Sequence, residues 1–371
     1  MVLSFIDLKN FRLHSNTRLE FSKNINYIVG GNGQGKTSLL EAIYYLCTTK
    51  NLNQASDIEA ISFENEFFEI NGKFTEFSNN KVRILFERET NKKNVFLDEK
   101  QIYRASNLIG KFPVVALLQS DHAITQGSPA ERRRFVDSII SQSSATYLKL
   151  LLDYNRILRQ RSSLLSKIKE LNSPELFDQL EVWTNSLIKV GSEVISHRNS
   201  FVSEFNEFIQ KPYEFIMGVS EFPKIKYSTI SNGNSVFQIE ENFKEECNKV
   251  KNDELKRARN LAGPHRDDFE FYINNLELKK YGSQGQNKTF QIALRFSQFF
   301  YLKEKLNLTP IFLMDDVFGE LDSFRAEKIS LYLGEIGQAF ITMTDFSKLE
   351  KLNKSDNDLV FNVKNGKVAY A

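Results

Sequence analysis

Cysteine is nearly missing from this chain. Cys47 and Cys247 are the only two in 371 residues and lie far apart without metal-ligand spacing, so neither a disulfide framework nor a zinc site is expected. Long apolar runs are missing too: no stretch approaches the ~18 residues of a membrane-spanning helix. The opening residues, Met1 to Lys9, are too polar for a secretory leader, so the expected location is cytoplasmic with no membrane partner. Neither sign of charge dominates. With 49 Lys and Arg against 47 Asp and Glu, the net charge of +2 excludes a polycation, and any nucleic-acid surface must be a local patch. The remainder, 41% hydrophobic and 26% charged, is that of a globular protein, and the length calls for two or three packed units.

What is present is a glycine-rich loop: Gly30, Gly31, Asn32, Gly33, Gln34, Gly35, Lys36, Thr37, then Ser38. Glycine, four residues, glycine, Lys and Thr make the phosphate-loop pattern. An apolar run, Ile25 to Val29, suits a buried strand before it, and Ser38 to Leu46 favours helix after it. The glycines let backbone N–H groups face a pyrophosphate, and the helix adds the positive end of its dipole. Lys36 would reach the β- and γ-phosphates, and the Thr37 hydroxyl would hold Mg²⁺. ATP and Mg²⁺ are therefore the expected cofactors.

Strands are expected at Leu3 to Leu8, at Thr17 to Phe21, across 66–103, where Phe67 to Ile70 and Val82 to Phe86 are the clearest, and at Pro113 to Leu118, with turns at 79–80 and 91–94. Arg12, between the first two strands, comes near the loop only if those strands share its sheet. A polar loop runs from Gln119 to Gly127. Ser128 as N-cap, Pro129 and Glu131 then start a helix. In it Leu150, Ile157, Leu164 and Leu171 recur at seven-residue steps, a coiled-coil-like seam. Asn172 to Pro174 breaks it, and a second helix with apolar residues from Leu176 to Phe208 completes a hairpin roughly 40 Å long. His197 lies on its apolar stripe as a packed core histidine. After Pro212 short strands are expected at 224–230 and 236–239, then a charged helix over 241–259. The last third alternates strand and helix: 270–273, 284–305, 311–314, 325–333 and 339–342. The layout reads as 1–135, the head's first lobe; 136–255, helical arm and connecting strands; and 256–371, its second lobe.

The strand Ile311 to Met314 ends in Asp315 and Asp316. Magnesium at a phosphate loop needs a carboxylate, assigned to Asp315, and an attacking water needs another, assigned to Asp316. Ser283, Gly285 and Gln286 open the preceding helix. A plain N-cap is one reading of Ser283; the other is a second anion site. One chain with one nucleotide has no use for two such sites. Two copies facing head to tail do, each placing Ser283 on the γ-phosphate held by the other's Lys36.

The order phosphate loop, helical insertion, Ser-x-Gly-Gln helix, Asp-Asp strand resembles the ABC-type ATPase heads of chromosome-maintenance and DNA-repair proteins. The fold class so implied is α/β, a mixed-sheet ABC-type head interrupted by an α-helical hairpin arm. Within that class the chain is similar to the RecF family. The resemblance is carried by Lys9 to Arg12, the loop with Leu40 to Ile43, Gly127 to Asp137, Ala262 to Asp268, Tyr281 to Gln286 and Asp315 to Asp322. It implies Walker A at Lys36 and Thr37, the ABC signature at Ser283 to Gln286, Walker B at Asp315, a D-loop at Asp322, nucleotide contact by Arg12 and a Q-loop contact by Gln119. It further implies ATP-dependent homodimerisation, slow hydrolysis and binding of DNA at single-strand gaps or duplex junctions. Partnership with RecR and RecO in loading RecA, within DNA repair, replication and the SOS response, follows likewise. The chain departs from the family pattern at Gln119-Ser120-Asp121, where Pro-Glu-Asp is usual, and near Lys50 to Asn53, where Ser-x-Arg is usual.

Two basic clusters, Arg132, Arg133, Arg134 and Lys256, Arg257, Arg259, would alone be solvated helix faces. Beside the groove of a closed dimer they become DNA phosphate contacts, salt-sensitive and indifferent to sequence. His265, Arg266 and Asp267 read as turn residues without catalysis. The expected activity is a weak ATPase that switches a DNA clamp; the alternative is a related head acting as a nucleotide switch on a protein partner. A transport ATPase lacks a counterpart here for its short helical subdomain, a condensin-type head needs far longer heptads, and a nuclease fusion has no room.

Overall fold

The computed structural model describes residues 1–53, 55–75, 79–171, 173–218, 220–345 and 355–371. The break expected at Asn172 lies partly outside these. Strands β1 (Val2–Phe11) and β2 (His14–Glu20) form a hairpin, β3 (Ile25–Val29) leads into the glycine loop, and α1 (Lys36–Thr48) leaves it. Then come β4 (Phe67–Thr75), β5 (Asn80–Glu87), β6 (Lys92–Leu97), β7 (Lys100–Ile102) and β8 (Val114–Leu117). Helices α2 (His122–Gln126), α3 (Pro129–Ser143), α4 (Ala145–Leu171) and α5 (Pro174–Met217) follow, then β9 (Pro223–Ser228), α6 (Val236–Arg257), β10 (Asp268–Ile273), β11 (Leu276–Glu277) and α7 (Leu278–Tyr281). The chain closes with α8 (Gln284–Leu306), β12 (Ile311–Asp315), α9 (Ser323–Leu333), β13 (Ala339–Met343), β14 (Leu359–Lys364) and β15 (Lys367–Tyr370). No helix of the described residues is long and apolar enough to cross a membrane.

Two compact units result. The first comprises 1–121, 212–219 and 291–371, the second 122–211 and 220–290, so the cuts fall elsewhere than the expected 135/136 and 255/256.

The first unit holds two six-stranded sheets, one antiparallel in the order β2-β1-β4-β5-β6-β7, the other β15-β14-β3-β13-β12-β8. In the second sheet β14, β3, β13, β12 and β8 run parallel. Those strands are apolar almost throughout, as strands covered on both faces must be. Helix α1 touches strands of both sheets, and its Leu40, Ile43 and Leu46 join Leu3, Phe11, Phe68, Leu313, Phe340 and Phe361 in one core. Parallel strands place their carboxyl ends on one edge, where ligands of such sheets bind.

In the second unit, α4 and α5 pack through Leu164, Leu165, Ile168 and Leu180. The expected heptad ladder is half of the seam: Ile157 and Leu164 are buried, alternating with Tyr147, Tyr154, Arg161 and Ile168, while Leu171 is exposed. Gly191 permits close approach, since a Cβ there would lie 2.6 Å from the Phe243 ring. Arg161 is buried in a fork on Glu254 (3.0 and 2.6 Å) with Asn260 at 2.6 Å. His197 sits edge-on to Tyr147, as a packed histidine.

Several elements differ from expectation. Residues 236–239 begin α6, because Ser235 Oγ accepts from Gln238 N–H and caps a helix whose first turn is apolar. Residues 92–94 open β6, where Lys92 and Lys93 pair with Glu87 and Phe86. The loop after Gln119 is largely α2, and the helix begun at Pro129 stops at Ser143 before α4 starts. Pro212 lies inside α5, which continues because Ile209, Tyr213 and Ile216 are fully buried; packing outweighs one lost ladder bond. Strands β11, β14 and β15 had no sequence counterpart.

Candidate nucleotide-binding site

The glycine loop joins the carboxyl end of β3 to α1. Gly30 N–H donates to the Met343 carbonyl at 3.1 Å, and a Cβ on Gly30 would come within 2.3 Å of the Val363 carbonyl oxygen, so glycine is required there. Gly31, Asn32 and Gly33 are exposed, Gln34, Thr37 and Ser38 half-buried, Gly35 and Lys36 buried. Lys36 Nζ donates to the Gly31 carbonyl at 2.8 Å, folding the ammonium back across the loop. Burial lowers the Lys36 pKa, and the Asp316 and Asp315 carboxylates pull it back up, which puts both acids within electrostatic reach of the lysine.

Asp315 ends β12, with β13 between it and β3. The Thr37 hydroxyl faces the Asp315 carboxylate at 2.9 and 3.0 Å. From β13, Thr342 Oγ1 donates to the same carboxylate at 2.7 Å and accepts the Asp316 N–H at 2.8 Å. Asp316 is in the left-handed region, φ 48°, where aspartate is tolerated and the strand is re-aimed. Among the described residues no group of three or more His, Cys, Asp or Glu could hold a metal alone. Thr37 and Asp315 would hold a Mg²⁺ through two hard oxygens, the donor type that ion prefers.

Gln119 reaches this corner too, its Nε2 donating to the Asp316 carbonyl at 3.4 Å. The turn bearing it is fixed by Asp121, buried in a fork with Arg295 (2.8 and 2.6 Å). Arg12 is not delivered by a shared sheet, because β1 and β3 belong to different sheets. Its guanidinium forks onto Glu41 at 2.8 Å twice and onto the Glu59 carbonyl at 2.6 Å, and the Glu41 bond raises its pKa. Asp322 caps α9 through the Arg325 N–H at 2.9 Å, a bond that lowers its pKa.

In the second unit Ser283 and Gln286 cap each other: Gln286 N–H donates to Ser283 Oγ at 3.1 Å and Ser283 N–H to Gln286 Oε1 at 2.9 Å. Gly285 lies in the first turn of α8, and Gln286 Nε2 also holds Glu221 at 2.8 Å. The basic clusters divide. Arg132 is buried in a fork on Asp268 at 2.7 and 2.8 Å and on the Gly127 carbonyl at 3.0 Å. It leaves the expected DNA set, its charge being spent on holding α3 against β10. Arg133 is half-buried, donating to the Asp267 carbonyl at 2.6 Å. Arg134, Lys256, Arg257 and Arg259 are exposed. His265 packs against Tyr154, whose hydroxyl meets Nδ1 at 2.8 Å.

Sequence reasoning missed Thr342, Glu41, Arg295 and His14. Glu41 lies in the stretch Leu40 to Ile43 that carries the resemblance but had no role assigned; of the others, which belong to no local motif, Thr342 alone carried a signal, as a polar residue near the end of an otherwise apolar strand. A cavity of about 760 Å³ on the first sheet, lined by Phe5, Arg18, Arg83 and Phe96 among others, includes no residue of the glycine loop.

A phosphate loop and a carboxylate meeting across parallel strands define a nucleotide-dependent ATPase head of mixed α/β architecture. Residues 2–368 match the RecF/RecN/SMC N-terminal domain family. A DNA replication and repair protein RecF of Chloroherpeton thalassium is 42% identical over 95% of this chain and 98% of the relative, and one of Salinibacter ruber is 33% identical over 93% and 85%. A solved structure described as "recombination mediator protein RecF-ATPrS in RecFOR pathway" superposes with TM-score 0.91 at 30% identity, covering 100% of this chain and 98% of that one. A Pyrococcus furiosus Smc head, 14% identical with TM-score 0.56, shares the fold. The chain belongs to the RecF family.

Proposed function

We propose that this chain is a cytoplasmic, ATP-switched DNA clamp of recombinational repair and a weak ATPase. The observation that carries the reading is the Thr37 hydroxyl on the Asp315 carboxylate, beside a buried lysine. A threonine hydroxyl and an acid brought together from 278 residues apart are the two protein ligands that a phosphate loop needs for magnesium. RecF relatives solved as RecF-ATP and RecF-ATPrS support ATP as the nucleotide.

In this reading the N–H groups of Gly31 to Thr37, with Ser38 behind them, cradle the phosphates and Lys36 neutralises the outer ones. Thr37 and Asp315 orient Mg²⁺, which supplies Lewis-acid charge at the phosphate oxygens when bound. Gln119 senses that corner. Asp316 orients water; its short side chain suits slow turnover. Ser283, Gly285 and Gln286 of a second copy close over the nucleotide, with Asp322 at the seam, and Arg12 supports the loop from Glu41. The helices within 136–255 act as the arm, inserted in sequence between the two segments of the head. Closure forms a groove in which Arg133, Arg134, Lys256, Arg257 and Arg259 meet phosphates at gaps or duplex junctions. RecR and RecO, and through them RecA, are the partners the family context supports.

Closure by ATP requires ATP to favour the dimer over the monomer, since equal affinity shifts nothing. Sedimentation at micromolar protein with and without ATP tests it: dimer with ATP and monomer without is expected, and monomer in both removes the clamp. Gel shifts on gapped, intact and single-stranded DNA with ATP, ADP or no nucleotide then separate a DNA clamp from a switch acting on protein.

A further inference from the structure

His14 is fully buried, and nothing in the nucleotide reading uses it. Its Nε2 lies 3.0 Å from the Gly35 carbonyl oxygen and its Nδ1 3.1 Å from Thr17 Oγ1. A carbonyl only accepts, so Nε2 carries the proton and donates, and in the neutral ring Nδ1 is left as an acceptor facing the Thr17 hydroxyl, whose other acceptor within reach is the Gly366 carbonyl at 3.4 Å. Burial lowers the His14 pKa and keeps this neutral form at neutral pH.

The preceding peptide is held in the same manner from another part of the chain. Gly366 N–H, in the turn between β14 and β15, donates to the Gln34 carbonyl at 2.9 Å, and Asn365 N–H donates to Gln34 Oε1 at 2.7 Å. Gln34, expected among the phosphate contacts, thus spends its side chain on this turn. The turn is fitted closely to the β1–β2 hairpin. Gly366 has φ +74°, and a Cβ on it would lie 2.0 Å from the Leu13 carbonyl oxygen. Gly35 has φ +106°, and a Cβ there would meet His14 Nε2 at 3.2 Å.

Two consecutive carbonyls of the phosphate loop, those of Gln34 and Gly35, are therefore anchored by donors outside it, the Gly35 oxygen being shared between His14 Nε2 at 3.0 Å and the Leu39 N–H of α1 at 3.4 Å. In a trans peptide the C=O and N–H point in opposite directions, and the chain has no cis peptide bond among its described residues. Anchoring the Gln34 oxygen aims the Gly35 N–H away from the brace, and anchoring the Gly35 oxygen aims the Lys36 N–H likewise. Successive N–H groups so directed make an anion nest.

We propose that His14 and the Asn365–Gly366 turn are positioning elements of the nucleotide site, holding the loop carbonyls so that the Gly35 and Lys36 N–H groups are set for a phosphate before it arrives. The proposal rests on the phosphate-loop reading above. Neither element touches nucleotide; both act through the loop backbone.

The test is binding of a fluorescent ATP analogue with Mg²⁺ to the full chain and to His14→Leu, His14→Asn and His14→Gln, with melting in the absence of nucleotide beside it. A glutamine amide reaches the position of Nε2 and restores the donor; an asparagine amide ends at the level of Nδ1 and does not. His14→Leu and His14→Asn are expected to bind about tenfold more weakly, the scale of one hydrogen bond. His14→Gln is expected within about threefold of the parent. The Asn and Gln variants should melt together, so that a difference in affinity reports loop geometry rather than folding; their comparison stands even if the Leu variant does not fold. Parent affinity in both Asn and Leu variants overturns the proposal while leaving the nucleotide site standing. No binding by the parent chain overturns the site itself, and the proposal with it.

Discussion

Replacing Arg132 by Met tests whether the first basic cluster serves DNA or the fold. The methionine keeps most of the side-chain volume on α3 but removes the guanidinium from Asp268 (2.7 and 2.8 Å) and from the Gly127 carbonyl (3.0 Å). Breaking a buried pair by deleting one partner costs about 3–5 kcal/mol, because the other charge is stranded. Arg132 is 7% exposed but Asp268 is 26% exposed, so water screens the stranded carboxylate and about 2–3 kcal/mol is expected. At a urea slope of about 2 kcal/mol per molar, the midpoint falls by about 1 M. Trp183 is the single tryptophan and packs beside Leu164 and Leu165 in the same unit as Arg132, so its fluorescence reports that unit. Arg134→Met is the control: its partner Glu131 is one helical turn away and both are substantially exposed, so a change within about 0.5 kcal/mol is expected. Adding Asp268→Asn should recover part of the loss in the double variant, since no lone charge remains. An Arg132→Met variant that unfolds at the parent's urea midpoint yet binds DNA more weakly, with a shallower salt dependence, would refute this reasoning and return Arg132 to the DNA set.

Asp315→Asn should weaken Mg²⁺-dependent nucleotide binding at least tenfold while leaving the apparent melting point within a few degrees, because Thr37 and Thr342 can still bond the amide oxygen; calorimetric titration with and without Mg²⁺ checks it. Arg257→Ala and Arg259→Ala, exposed on the flank of α6, should each lower the log-log salt slope of DNA binding by about one, uniformly across sequences; an unchanged slope removes them from the interface. His265 is half-buried, and desolvation depresses its pKa from 6.5 to about 4, so between those values the unfolded chain binds more protons. The stability contributed by keeping it neutral is full above pH 6.5 and declines toward pH 4, by about 3 kcal/mol at the limit; His265→Gln should flatten the urea midpoint over that window. Burial pushes the Cys47 thiol up and the Cys247 thiol to about 12, so neither should react with a disulfide reagent at pH 8 until the chain is unfolded.

The parts of the fold legible in the sequence are those whose signal is local. The run Ile25 to Val29 reads as a buried strand because five successive residues face apolar cover, and the structure has it at those bounds. The seam of α4 is half legible for a related reason. Ile157 and Leu164 announce themselves, but the alternating positions are filled by Tyr147, Tyr154 and Arg161, whose polar ends find partners on other elements. A polar residue on a helix reads as solvent-facing unless its partner is known, and Glu254 lies 93 residues from Arg161. The start of α6 fails the other way. Val236, Phe237 and Ile239 suit a strand, and only the Ser235 cap decides for helix.

The candidate site divides along the same line. Lys36, Thr37 and Asp315 belong to patterns that chemistry constrains residue by residue, so they can be found without a fold. What turns them into one corner is not in any motif. Thr342 fixes the Asp315 carboxylate and the Asp316 backbone from a strand with no pattern of its own, and Asp121 fixes the turn behind Gln119 through Arg295, which is 174 residues away. The same asymmetry explains Arg132. Three consecutive arginines look alike in sequence, yet α3 turns about 100° per residue, so Arg132 points to Asp268 while Arg134 points to water. A charge cluster on a helix therefore cannot be read as one surface. Its members have to be assigned face by face, and here the buried member stabilises the fold while the exposed ones remain available to a partner.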